Sequence, residues 1–158
     1  MTMLTSGILL FLFLCSHGAL GCPNGWMTHE NSCYHFSHDT EDWIDAVAAC
    51  KILGGHLVEI DDATENQYLV NQAKLINSKE SFWIGLNDLQ EEGSWVWVDS
   101  NEAVSYTNWY PGQPDNEASN ENCAHLNPVY NDLWNDKECY SLLNYICEKT
   151  SENAEIIG

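Results

Sequence analysis

Apolar positions recur from Trp43 at Ala46, Val47, Cys50 and Leu53, the spacing of one helical stripe, and Gly54 and Gly55 follow as a stop. A second helix is predicted from Asp62, whose side chain forms a capping box with Glu65, and Leu69, Ala73 and Ile76 mark its buried face. Short runs rich in β-branched and aromatic residues predict strands at Leu57–Ile60, Phe82–Leu86, Trp95–Val98 and Asn144–Glu148. The pattern therefore reads α+β, helices early and strands late, with two helices packed on small antiparallel sheets. Between Asp99 and Trp134 the periodicity fades into a stretch rich in Asn, Pro, Gly and acids, and a connection that long in a compact domain is functional or metal-held.

The ends of the chain read differently. Ile8–Cys15 is an apolar run too short to span a membrane, followed by Ala19 and Gly21 at the spacing a signal peptidase accepts. Residues 1–21 are expected to be a signal peptide, although no Lys or Arg precedes the run, and Cys22 leaves a bacterial lipoprotein reading open. Six of the seven cysteines lie beyond the cleavage point, an even number that suits an oxidising, extracellular compartment. Residues 150–158 read as a short polar tail.

Composition narrows the partners. Twenty-four acidic side chains stand against 5 lysines and no arginine, a formal charge of −19, which argues against nucleic acid and against insertion into an anionic membrane. Hard divalent cations suit such a chain, and a solvated acidic surface explains the same numbers. Within the aperiodic stretch and just after it, Gln113, Asp115, Glu121, Asn135 and Asp136 all present oxygen. Calcium takes about 6–8 oxygens, so these five and the main-chain carbonyl of Asp136 leave room for two ligand oxygens. The amide hydrogens of Gln113 and Asn135 are expected to remain available to a bound hydroxyl. Zinc would need a set of His or Cys ligands, and His125 alone does not supply one.

The strings WIGL at 83–86, QPD at 113–115, ENC at 121–123 and WND at 134–136, in this order and with the six cysteines, resemble the C-type lectin domain, and in particular the perlucin-like secreted lectins of molluscs. The resemblance covers Cys22–Lys149. It implies the long form of the fold, with disulfides Cys22–Cys33, Cys50–Cys147 and Cys123–Cys139, a cis proline at Pro114, and Ca2+ held by Gln113, Asp115, Glu121, Asn135 and Asp136. The second bridge would close nearly 100 residues, worth ~4.7 kcal/mol in chain entropy, and the loop should depend on calcium to fold. A second family calcium site would draw on Asp88, Glu92, Asn116, Glu121 and Asn122, with amides at two of the usual carboxylate positions.

The order amide-then-acid at Gln113 and Asp115 implies the galactose type, the same five side chains bonding the 3- and 4-hydroxyls of terminal galactose or N-acetylgalactosamine. Asn116, Glu117 and Ala118 follow in place of the aromatic that often stacks on such sugars, and Tyr110, Tyr130 and His125 are left unassigned. Trp83, Trp95, Trp97 and Trp134 are expected in the core; His29, His35 and His38 are expected to be solvated. The resemblance implies a secreted pattern-recognition or agglutinating lectin for microbes or glycoproteins, not an enzyme, since carboxylates saturated by calcium are poor acid–base groups. One shallow site per chain calls for a homo-oligomer or clustered display. The alternative is a perlucin-like shell-matrix or protein-interaction module whose acidic surface meets mineral without the sugar site.

Overall fold

The computed structural model describes residues 21–77, 79–127, 130–131 and 133–151. The expected signal peptide, Gly21 apart, and nearly all of the polar tail lie outside them. The elements in chain order are β1 (Met27–His29), β2 (Ser32–Phe36), α1 (Trp43–Ile52), β3 (His56–Leu57), α2 (Ala63–Asn77), β4 (Phe82–Asn87), β5 (Val96–Trp97), β6 (Cys123–Asn127), β7 (Leu133–Lys137) and β8 (Asn144–Thr150).

Both helices end as their sequences dictate. The Asp42 side chain accepts from Asp45 N to open α1. At the other end Gly54 N donates to Lys51 O and Gly55 N to Cys50 O, a Schellman closure that needs the positive φ of Gly54. Trp43, Ala46 and Cys50 are buried, but Leu53 is 40% exposed, because the helix has ended and the turn carries its side chain off the stripe. In α2, Asp62 Oδ1 accepts from Thr64 N and Glu65 N, while Glu65 reaches past the cap to accept from Asp61 N. The capping box is thus displaced by one residue.

The strands run β1-β2-β8-β4-β6-β7, with β3 added to β8 and β5 to β4. A β1–β2 hairpin precedes the helices, so the expected order of helices first is corrected; its alternation was too short to register as a strand pair. β4 and β8 pair in parallel, whereas the other strand pairings are antiparallel. β3 stops at Leu57, although Val58 and Ile60 stay buried beyond it, and β5 keeps only the middle of the Trp95–Val98 run. The aperiodic stretch is shorter than its expected Asp99–Trp134 extent: β6 begins at Cys123 and β7 at Leu133. Neither strand alternates cleanly in sequence, since β6 is buried on both faces over Cys123–Leu126.

One apolar cluster lies between α2 and the β4–β6–β7 surface and includes Leu69, Ala73, Ile84, Leu126, Trp97 and Trp134. A second surrounds the Cys50–Cys147 bridge with Trp43, Trp83 and Tyr145. The four tryptophans expected in the core are there. Two of their donors tie neighbouring segments to the core: Trp83 Nε1 donates to Glu41 O at 3.1 Å and Trp134 Nε1 to Asn66 Oδ1 of α2 at 2.8 Å. Gly85 of the WIGL string lets β4 approach the neighbouring main chain, where a Cβ would stand 2.8 Å from Leu57 O. The three disulfides pair as the resemblance implies, with Cα–Cα separations of 5.5, 5.3 and 5.2 Å.

The histidines of the N-terminal segment depart from expectation. His38 is exposed, but His29 stacks face to face on Tyr68 at 4.1 Å, and its Nε2 is buried. His35 tilts against Trp26, its Nδ1 3.3 Å from Gly25 O. Packing on flanking aromatics leaves these two residues half-buried.

Candidate metal and ligand site

Two chain segments meet where the WND string crosses the long loop. Trp109 and Trp134 form a parallel bridge. Trp134 N donates to Asn108 O, Tyr110 N donates to Trp134 O, and Gln113 N donates to Tyr110 O, each at 2.8–2.9 Å. These bonds set the QPD turn beside β7, and the Gln113–Pro114 bond is cis. The Cys123–Cys139 bridge joins the start of β6 to the residue two beyond β7 and braces the other side.

Asp115, Glu121 and Asp136 converge there, with carboxylate oxygens all within 4.8 Å of one another. Asp136 is fully buried and Glu121 is 7% exposed, whereas Asp115 faces solvent. The loop wraps its main chain onto them: Asp115 N donates to Asp136 Oδ1 at 3.3 Å, Asn116 N to Asp136 Oδ2 at 2.7 Å, and Glu117 N to Glu121 Oε2 at 3.1 Å. Burial raises the pKa of Asp136 above the usual carboxylate range, with the charge of Asp115 adding to it against the pull of those N–H groups. Burial raises Glu121 likewise, helped by the charges of Asp136, Glu138 and Asp115. A cation among them relieves both desolvation and repulsion.

Two further oxygens mark the site. Gln113 Oε1 and Asn135 Oδ1 are buried and have no hydrogen-bond partner. A buried acceptor left unpaired costs roughly 1–3 kcal/mol, and here both belong to the residues that the sequence singled out beside the three carboxylates. Five oxygen donors of this kind, with no thiolate or imidazole ligand among them, fit a hard divalent ion and not zinc. The Asp136 carbonyl accepts from Asn135 Nδ2 and retains one lone pair.

That contact corrects one expectation. The amide hydrogens of Asn135 are committed, one to the Asp136 carbonyl and one toward His125 Nε2 at 3.4 Å. His125, buried against Trp83, places Nδ1 3.3 Å from Leu126 O, so Nδ1 carries the proton and Nε2 accepts. Burial, with Lys137 nearby, pushes its pKa down to about 3 and keeps the ring neutral. His125 thereby holds one amide hydrogen of Asn135 and fixes its side chain, whose Oδ1 stays unpartnered. The only signal for this role is cross-strand register, His125 opposite Asn135 in the β6–β7 pair, which the sequence does not display because β6 lacks alternation. Tyr110 and Tyr130, also unassigned, stack on each other at 4.2 Å.

The residues named for a second ion are arranged otherwise. Asn116 Nδ2 donates to Glu92 Oε2, and Asn116 Oδ1 accepts from Glu121 N at 2.9 Å, so one amide links the two acids. Asp88 is buried; its Oδ2 accepts from Gly93 N at 2.7 Å, its Oδ1 has no partner, and burial raises its pKa. Asn122 enters through its main-chain carbonyl, which accepts from Asp88 N. Among the described residues, Asp88, Glu92 and Glu121 do not form a carboxylate cluster like that of Asp115, Glu121 and Asp136.

The molecule is thus a disulfide-stapled α+β domain whose loop gathers three carboxylates. Residues 39–149 match the Lectin C-type domain, and the chain belongs to that family, whose members are carbohydrate-binding domains and not enzymes. It is 43% identical over 130 residues to a perlucin-like protein of Mytilus galloprovincialis, covering 81% of this chain and 83% of that one. It is 37% identical over 130 residues to perlucin of Haliotis laevigata, covering 82% and 83%. The carbohydrate-recognition domain of the mouse scavenger receptor C-type lectin superposes with a TM-score of 0.77 at 40% identity, covering 82% of this chain and 98% of that one. Domains of the family generally bind Ca2+. Among the described residues, no helix is long and apolar enough to cross a membrane.

Proposed function

We propose that this chain is a secreted, calcium-dependent lectin whose ion is held by Gln113, Asp115, Glu121, Asn135 and Asp136, and whose ligand is a terminal galactose or N-acetylgalactosamine. The observation that carries this reading is the pair of buried, unpartnered oxygens, Gln113 Oε1 and Asn135 Oδ1, beside three mutually close carboxylates. When bound, the ion supplies coordination to two adjacent sugar hydroxyls. Asp115 and Glu121 accept hydrogens from those hydroxyls, Gln113 donates to them, and Asn135, its amide hydrogens taken, contributes oxygen alone. The amide-then-acid order of Gln113 and Asp115 supports the galactose type through the direction of these bonds. Three disulfides support an extracellular location.

A single site of this depth binds one sugar weakly, so agglutination of microbes or capture of glycoproteins requires several domains on one particle, as a homo-oligomer or a clustered display. Calcium should raise the melting temperature, and the protein should be retained on immobilised lactose and released by free galactose or by a chelator. A Gln113→Glu, Asp115→Asn double variant should move preference toward mannose. Retention that ignores both chelator and galactose would sink the reading. The charge of −19 favours a second reading, association of the acidic surface with mineral; binding to calcium carbonate that galactose leaves intact would identify it.

A further inference from the structure

A cleft of about 350 Å³ lies between α2 and the start of β7, lined by Asn66, Gln67, Tyr106, Asn108, Asn131 and Leu133 among others. No carboxylate lines it, although the chain has 24 acidic residues. Its polar surface is amide and phenol, groups that both donate to and accept from neutral hydroxyls, with the Lys74 ammonium as a further donor.

The cleft and the candidate site are built on the same two chain segments. Asn108 and Leu133 stand just before the Trp109–Trp134 bridge, and Tyr110 and Asn135 just after it, so two parallel segments run from cleft to site. Leu133 and Asn135 are two apart on β7 and share a face of the strand, roughly 7 Å apart along it. The stacked Tyr110–Tyr130 pair stands on the same path, Tyr130 next to Asn131 and Tyr110 bonded through its carbonyl to Gln113 N.

We propose that this cleft is a second carbohydrate subsite, which receives an inner, neutral sugar residue of a glycan whose terminal residue sits at the ion site, with the tyrosine pair as the surface between them. The proposal rests on the lectin reading above. It makes the domain a reader of oligosaccharides and not only of their last sugar.

The test measures, in calcium, binding of methyl β-galactoside and of the linear tetrasaccharide lacto-N-neotetraose, which ends in galactose. Wild type should bind the tetrasaccharide at least tenfold more tightly. A Gln67→Ala, Asn131→Gly double variant removes two cleft amides from exposed positions, and glycine tolerates the positive φ of Asn131. It should lose most of that gain, five- to tenfold for two hydrogen bonds, with its methyl galactoside affinity and calcium-induced melting shift unchanged. As a second readout, saturation-transfer NMR should place the inner sugar protons on the wild type and not on the variant. Equal affinity of wild type for both sugars, or equal losses for both in the variant, overturns the subsite while calcium-dependent galactoside binding keeps the lectin reading. Binding of neither sugar with or without calcium overturns both.

Discussion

His125 acts at one remove from the proposed ion: its neutral Nε2 accepts from Asn135 and so fixes the orientation of that amide. Substitutions of groups that orient metal ligands cost about 10–100-fold in affinity. His125→Ala should therefore weaken calcium binding by at least tenfold in calorimetric titration, and His125→Gln, which keeps an acceptor, should recover part of it. Asn116 poses the converse case, since its amide links Glu92 to Glu121 N where a carboxylate would leave room for a cation. Asn116→Asp removes a donor and adds a charge beside Glu92. In chelator it should lower stability by about 1–2 kcal/mol, and in calcium native mass spectrometry should find one more ion per chain than in wild type.

The elements show how much the sequence disclosed and where it fell silent. α1 was legible because Trp43, Ala46 and Cys50 repeat at helical spacing and Asp42 and Gly54 close the ends by local chemistry. β6 was not, because a strand covered on both faces loses its alternation and CAHLN reads like any short mixed segment. The five site residues could be named from their oxygens and order alone. The convergence of Asp115, Glu121 and Asp136 depends on non-local pairing, the Trp109–Trp134 bridge above all, and no spacing encodes that. The Cys50–Cys147 bridge fixes another non-local relation, between α1 and β8 across a separation of 97 residues. A Cys50→Ala, Cys147→Ala variant should lose about 4–5 kcal/mol on the chain-entropy estimate, measured by urea denaturation, and should still bind calcium at temperatures where it stays folded.

Across the whole molecule the uneven distribution of charge governs pH behaviour. Glu148 is largely buried at the end of β8, with Ser32 Oγ donating to it at 2.7 Å and Glu65, His56 and Tyr34 around it; Tyr34 in turn donates to Glu65 at 2.6 Å. Burial, reinforced by the charge of Glu65, raises its pKa to about 7 from an ordinary 4.5. The folded state therefore holds a proton that the unfolded state releases, and stability contributed by this group falls as pH rises from about 4.5 to about 7, by up to ~3 kcal/mol. Glu148→Gln should flatten that slope and leave the variant the more stable form at pH 8, as thermal unfolding across pH 4–8 would show. The same strand has a consequence in time. β8 pairs with β2, β3 and β4, so the central seam of the sheet is the last strand to be synthesised. A nascent chain lacking it has two half-domains with no edge in common, so the two halves of the domain join only once β8 has left the ribosome.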